Sequence, residues 1–516
     1  MPQPHTRDPY AGWRELTLRG MILGALITVV FTASNVYLGL KVGLTFATSI
    51  PAAVISMAVL KFFKGSNILE NNMVQTQASA AGTLSTIIFV LPGLLMAGYW
   101  NGFPFWQTTL LCVSGGILGV IFTVPLRYAM VVKSSLPYPE GVAAAEILKV
   151  GSGEHEDAEQ GQSGDSGVRE ILSGGLLAGL MSFLSGGLRV ISDSASYWFK
   201  AGNAIIGFLV AAACGYMAGL VGSSASPISG IGIVSIVVIS LVLLAVGESS
   251  GLFADEGNRQ FMLALTLFCG SAVICVASIS NDNLQDLKTG YLVKATPRLQ
   301  QIALIIGCVA GAIVVSPVLE LLYEAYGFTG AMPRAGMDAS QALAAPQATL
   351  MTTITQGIFA HNLQWNYIFT GVGIGVALII VDFILKKSSG NRLALPVLAV
   401  GMGIYLPPSV NMPIVVGAFL AAWLKSRIRT RSGDAESSLK RADRTGTLFA
   451  AGLIVGESLI GVAMAFVIAV SVTNGGSDAP LALGLKNWDT AASWLGLAGF
   501  LLGMTVFARR ILKAAR

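Results

Sequence analysis

Charge is scarce in this sequence: Asp, Glu, Lys and Arg make up 11% of its 516 residues, against 54% hydrophobic residues and a mean hydropathy of +0.70. Soluble domains carry about a quarter charged residues, so a soluble fold is excluded. Histidine is rarer still, and His5, His155 and His361 lie too far apart along the chain to suggest a metal cluster. The five cysteines (Cys112, Cys214, Cys269, Cys275 and Cys308) all fall in apolar runs with no CxxC pair, which excludes a disulfide framework and a structural zinc site. No Walker loop, GxSxG or HExxH string occurs, so an ATP-driven pump and a membrane hydrolase lack their parts. The chain is accordingly read as a non-enzyme without a cofactor, drawing energy from a gradient. Its net charge of +5 does not signal nucleic acid, because in a membrane protein excess Lys and Arg report orientation.

What the sequence does have is a succession of apolar runs of the ~20-residue length that spans a bilayer as helix. They fall near 20–40, 42–60, 73–98, 107–132, 170–188, 202–222, 229–247, 260–280, 302–324, 366–385, 394–406, 409–424, 445–472 and 490–508. The expected fold is all-α: one polytopic membrane domain over 1–516 with about fourteen transmembrane helices (range 12–16), some re-entrant or broken. Residues 1–19 form a polar N-terminal tail, and the first apolar run is too long for a signal peptide. Placing both termini in the cytoplasm puts 26 of the 32 basic residues inside, leaving out Lys41, Arg189, Lys200, Arg259, Arg334 and Lys486. That asymmetry makes 425–444 a basic cytoplasmic loop, 150–168 an acidic cytoplasmic linker, and Pro346 to Ala360 re-entrant, in a multi-pass protein of the plasma or inner membrane. The linker carries metal-ligand residue types (Glu154, His155, Glu156, Asp157), but among Gly, Ser and Gln these read as solvated chain.

Glycines spaced by four recur at Gly39/Gly43, Gly115/Gly119, Gly175/Gly179, Gly307/Gly311, Gly371/Gly375, Gly452/Gly456 and Gly499/Gly503. Such pairs let membrane helices approach closely, so they are packing positions. A weak internal echo links Gly39 to Val54 with Gly401 to Val416, as in transporters built from repeats. The short runs flanking Leu406-Pro407-Pro408-Ser409 read either as a broken helix or as a tight hairpin between tilted spans, with Pro407, Ser409 and Asn411 at the break.

The candidate site residues are the polar ones set among these runs. Asn67 to Ser85 carries Glu70, Asn71, Asn72, Gln75, Thr76 and Gln77 between two apolar stretches. Polar groups at membrane depth are tolerated where they are buried in protein or line a wet cavity, so this stretch reads as one wall of a substrate path. The alternative is a loop before a helix beginning near Met73, with Glu70 as a capping carboxylate. Tyr138 and Glu140 lie in a proline-rich segment at the start of a small-residue helix. Asp286 and Lys288 sit in the stretch from Ser280 to Arg298, which mixes both charge signs and reads by default as a solvated cytoplasmic loop. Glu457, flanked by Gly456 and Ser458 within an apolar run, is costly there unless partnered or protonated.

Glu70 to Thr76, Leu136-Pro137-Tyr138-Pro139-Glu140-Gly141, and above all Gln285-Asp286-Leu287-Lys288-Thr289-Gly290-Tyr291 followed by Pro297-Arg298, resemble the oligopeptide transporter (OPT) family. The likeness runs from about Asn35 to Leu424 and is nearest to the prokaryotic and yellow stripe-like branches. It implies a many-helix secondary transporter importing small peptides or peptide-like metal chelates by proton symport, with a small-molecule substrate, protons and the lipid bilayer as partners. The Asn-Pro-Gly and Lys-Ile-Pro-Pro-Arg strings of the eukaryotic peptide-transporting branch are missing, which weakens an oligopeptide as cargo. A gated channel or uncoupled facilitator for a small polar solute is the competing reading, a membrane scaffold is disfavoured by so many polar residues at depth, and homo-oligomerisation stays open.

Overall fold

The computed structural model describes residues 13–43, 45–152, 207–221, 228–249, 256–337, 339, 342–390, 393–395, 397–405, 408–431, 435–474, 476, 477, 480, 481, 483 and 488–515. Among these residues the regular elements are helices, and Phe328 supplies two isolated β-bridges without forming a strand. In chain order they are α1 (Leu18–Val42), α2 (Ser49–Leu60), α3 (Ile68–Leu84), α4 (Gly93–Met96), α5 (Phe105–Arg127), α6 (Pro139–Ser152), α7 (Gly207–Val221) and α8 (Ile228–Ser249). They continue with α9 (Glu256–Val293), α10 (Pro297–Tyr326), α11 (Pro346–Phe359), α12 (Trp365–Ser389), α13 (Val397–Tyr405), α14 (Pro408–Arg431), α15 (Ala435–Thr473) and α16 (Asp489–Ala514). Eight helical stretches among the described residues are long and apolar enough to cross a membrane, so the chain is a polytopic helical membrane protein.

Local chemistry sets the helix ends. Thr17 caps α1 by accepting from the Gly20 N–H, and Gly43, at φ 76°, closes it in the left-handed region that glycine enters without a Cβ penalty. Asn67 caps α3 by accepting from the Glu70 N–H at 2.9 Å. Pro297 and Pro346 occupy the first turns of α10 and α11, where the missing N–H costs nothing.

The centre of the bundle is α3, surrounded by α1, α2, α9 and α10. Every residue of α3 is buried, including its glutamate, two asparagines and two glutamines. Small residues make this density possible. Gly307 of α10 lies against the Gln77 backbone carbonyl, Gly82 against the Phe46 carbonyl, and Gly115 and Gly119 of α5 against Cys275 and Ile279 of α9. In lipid, close backbone approach of this kind supplies packing that water-driven burial does not.

Three expectations need correction. The apolar run 42–60 is not one span: after Gly43 the chain leaves the helix, the Phe46 N–H donates to Asn35 Oδ1 at 2.8 Å, and α2 has only 12 residues, about 18 Å at 1.5 Å per residue. The helix expected to begin near Met73 begins at Ile68, so the polar stretch is itself helical, and it gives way to a 3₁₀ turn at Ser85–Phe89. The solvated loop expected from Ser280 is overturned most fully. Residues 280–290 continue α9 without interruption and, apart from the partly exposed Lys288, are buried. Their polar side chains face other helices, where they pair with backbone groups and with side chains of those helices. The basic segment 425–444 is drawn largely into the end of α14 and the start of α15, while 153–168 of the acidic linker and the run 170–188 lie outside the described residues.

Candidate functional site

The polar face of α3 meets α9 and α10 around one carboxylate. Asp286, 1% exposed, accepts at Oδ1 from Gln75 Nε2 and at Oδ2 from Ser79 Oγ, each at 2.5 Å. Asn72 Nδ2 donates to Gln75 Oε1 at 3.0 Å and so fixes the orientation of that amide. From α10, Gln300 Nε2 donates to the Asp286 backbone carbonyl at 2.8 Å and to Thr76 Oγ1 at 3.2 Å. A Cβ at position 290 would overlap the Gln300 amide, so that side chain, held by its hydrogen bonds to Asp286 and Thr76, would have to move. Among the described residues no Lys or Arg pairs with Asp286; its hydrogen-bond donors are neutral, while Asp282 and Glu140 add negative charge nearby.

Glu70 has the opposite environment. Its carboxylate, fully buried, receives Arg19 Nε at 2.7 Å and Arg19 NH2 at 2.8 Å in a two-pronged pair, together with Thr17 Oγ1 at 2.5 Å. Arg19 also donates to the Lys64 carbonyl at 3.0 Å and lies over the Phe63 ring. A bidentate guanidinium fixes the position of a carboxylate, so this arrangement ties α1 to the start of α3. One turn outward, Glu15 accepts from the backbone N–H of Thr296 at 2.8 Å and from its hydroxyl at 2.6 Å, tying the same N-terminal segment to the start of α10.

The second and third sequence motifs dock onto each other. Gln285 Oε1 accepts from the Gly141 N–H at 2.7 Å, and its Nε2 donates to the Ala218 carbonyl of α7 at 2.6 Å. Thr289 Oγ1 donates to the Gly141 carbonyl at 2.9 Å. Tyr138, at φ 45°, is fully buried; its hydroxyl donates to the Met130 carbonyl, and burial pushes its phenol well above the usual range, so it serves as a neutral donor. Lys288 Nζ stands 5.7 Å from the Tyr138 ring centre and 5.6 Å from that of Tyr291, a cation–π arrangement.

Of the residues singled out in the sequence, Asn72, Gln75, Thr76 and Asp286 are thus brought together, and Tyr138 and Lys288 lie beside each other one motif away. Gln77 instead donates to the Met21 carbonyl and packs on Gly24 of α1, and Asn71 bonds back to the Asn67 carbonyl. Glu140 occupies the first turn of α6, partly exposed. Pro407 lies outside the described residues, as do the side chains of Ser409, Asn411 and Glu457, although the last three positions fall within α14 and α15. Ser79 and Gln285, though within stretches the sequence singled out, were not among the candidate site residues, and Gln300 was not singled out at all. The signal for Gln300 was its place in the first turn after Pro297-Arg298, where a polar side chain points back toward the end of the preceding helix.

Comparison with known proteins identifies relatives of the chain. A model described as "OPT oligopeptide transporter protein" matches residues 15–202 and 195–468. A Haemophilus influenzae protein named "Putative oligopeptide transporter" is 50% identical over an alignment of 641 positions that covers 93% of this chain and 100% of the relative. "Probable metal-nicotianamine transporter YSL8" of Arabidopsis thaliana is 28% identical over 42% of this chain and 28% of its own length. A yeast relative, "Putative oligopeptide transporter YGL114W" of Saccharomyces cerevisiae, is 27% identical over 27% of this chain and 22% of its own length. The chain therefore matches less than a third of the plant and yeast proteins. With the family model spanning most of its length and half of its aligned positions shared with a bacterial relative, the chain belongs to the OPT oligopeptide transporter family.

Proposed function

We propose that the protein is a secondary active transporter of the cell membrane, with both termini cytoplasmic, that takes up small peptides or peptide-like metal chelates together with protons. The observation that carries this reading is Asp286: a buried carboxylate inside a membrane bundle, held by Gln75 and Ser79, with no cation fixed on it among the described residues. Neutral donors favour the ionised form of such a group and burial favours the protonated form, so the balance turns on how wet the site is. That makes it sensitive to which side of the membrane the site faces. Glu70, the other buried carboxylate of the polar stretch, is committed to Arg19, which leaves Asp286 as the candidate for proton coupling. Kinship with transporters named for oligopeptides and for metal-nicotianamine supports this substrate class.

Purified protein in proteoliposomes, offered labelled di- and tripeptides and iron chelates, tests the proposal. Saturable uptake that follows an imposed pH gradient and collapses with an uncoupler supports symport. Flux that never saturates and ignores the uncoupler supports the channel reading instead.

A further inference from the structure

Three basic side chains stand without an acid where the apolar spans of α5 and α9 end. Among the described residues Arg127, Lys133 and Lys288 enter no ion pair. Each lies near a tyrosine instead. Lys133 Nζ is 4.9 Å from the centre of the Tyr128 ring and Lys288 Nζ is 5.6 Å from that of Tyr291, which is also the electrostatic neighbour of Arg127. A π-helical turn, Tyr128–Val132, closed by the Lys133 N–H on the Tyr128 carbonyl, folds Lys133 back over that ring; in an α-helix, residues five apart point about 140° away from each other.

Helix register brings Arg127 and Lys288 together. Gly115, Gly119 and Thr123 of α5 meet Cys275, Ile279 and Asn283 of α9, one turn at a time. The next turn sets Arg127 beside Leu287, with Lys288 and Tyr291 adjoining. Arg127 Nε is withdrawn from solvent and has no hydrogen-bond partner. Leaving a guanidinium donor unpaired is costly, and a phosphate or carboxylate oxygen is the acceptor that matches it.

This corner looks out of the bundle, away from Asp286. At about 100° per residue, Lys288 points about 200° round α9 from Asp286, and it is partly exposed where Asp286 is buried. Beside Arg127, an exposed stripe of Ile121, Val124 and Tyr128 runs down α5, and Tyr291 is 46% exposed. Tyrosines at the end of an apolar span mark the level of the lipid headgroups.

We propose that Arg127 and Lys288 bind the phosphate of an anionic membrane phospholipid beside Tyr291, with Lys133 at the rim and the acyl chains along Ile121, Val124 and Tyr128. A guanidinium fork takes two phosphate oxygens, the ammonium supplies a second charge, and a basic pocket between the ends of membrane helices selects headgroups that carry net negative charge. The apolar stripe that continues from the cations fits a lipid, and neither a free phosphate nor a cargo carboxylate has a use for it.

Native mass spectrometry of the purified protein, offered phosphatidylglycerol or phosphatidylcholine with the same chains, tests the site. Phosphatidylglycerol should be retained selectively, with affinity falling about fivefold for each of Arg127→Gln and Lys288→Gln. It should be unchanged in the Lys386→Gln/Lys387→Gln double variant, which removes positive charge at the end of α12. A phosphatidylglycerol carrying a photoreactive diazirine, irradiated with the unaltered protein in vesicles, should attach within 118–133 or 288–293, a result that needs no variant to fold. Equal retention of phosphatidylcholine, an equal loss in the Lys386/Lys387 variant, or crosslinks confined to other helices overturns the proposal. Inorganic phosphate that binds as tightly as the lipid marks a free-anion site and overturns it as well.

Discussion

Gln75 on α3 and Asp286 on α9, 211 positions apart in the chain, meet through an amide-to-carboxylate hydrogen bond of 2.5 Å. With Ser79 on the other oxygen, this bond joins the first and third sequence motifs, and Gln300 adds α10 from the backbone side. Three helices therefore share one acidic group.

Replacing that group is the most direct test of coupling. Asp286→Asn preserves shape and keeps an acceptor for Gln75, with the Ser79 hydroxyl turned to accept from the new amide, but cannot ionise, so pH-gradient-driven uptake should fall by at least about tenfold, a barrier change of roughly 1.4 kcal/mol. Substrate exchange at equal pH on both sides should survive. Loss of both activities in a protein that still purifies as a folded species would mean that Asp286 serves structure or cargo binding rather than protons.

Glu70→Gln should behave differently. It removes the charge that Arg19 grips, so the N-terminal segment loosens and the thermal midpoint of the detergent-solubilised protein drops, while the pH dependence of uptake keeps its shape. A changed pH profile at normal stability would return the coupling role to Glu70.

The fit of Gly290 beneath the Gln300 amide predicts a steric penalty. Gly290→Ala introduces a Cβ into that amide and should destabilise by ~1–3 kcal/mol, the range for overpacking a filled interior. Combining it with Gln300→Ala should recover part of the loss, measured as thermal midpoints of the single and double variants. Strict additivity would show that the two residues do not interfere.

Gln75→Ala leaves Asp286 with one donor fewer and should cost ~1.5–3 kcal/mol, the range for hydrogen bonds to charged groups. Gln75→Glu sets two acids at hydrogen-bond distance and should shift the pH dependence of uptake as well as lower stability. An unchanged pH profile in the glutamate variant would separate Gln75 from the proton path.

For orientation, Gly433→Cys, in the sequence between α14 and α15, should react with an impermeant thiol reagent only after the membrane is opened from the cytoplasmic side. Strong labelling from outside intact cells would invert the topology.

The sequence showed the membrane class and most span positions because apolar runs of bilayer length need no tertiary information. It also singled out the Asn67–Ser85 stretch, since glutamate, asparagine and glutamine between apolar runs are conspicuous. Burial of the stretch from Ser280 to Gly290 was not legible. Asn281, Asp282 and Lys288 look like a solvated turn until α3, α5 and α6 close around them, and only Lys288 keeps partial exposure. The failure at 42–60 had a local signal in Gly43, whose left-handed backbone ends α1, but hydropathy alone ran through it. The pairing of Glu70 with Arg19 was not legible either, because the guanidinium lies 51 positions away on another helix.

The 38 residues of α9 make a rod about 57 Å long at 1.5 Å per residue, nearly twice a ~30 Å hydrocarbon core. Asp286 rides near one end, about 45 Å from the opposite tip by the same rise. On a lever of that length a swing of about 5° carries the carboxylate about 4 Å, farther than the hydrogen bonds that hold it can stretch. The hydrogen bonds to Gln75 and Ser79 thus fasten one end of a long helix, and a tilt of α9 of that size against α3 would break both.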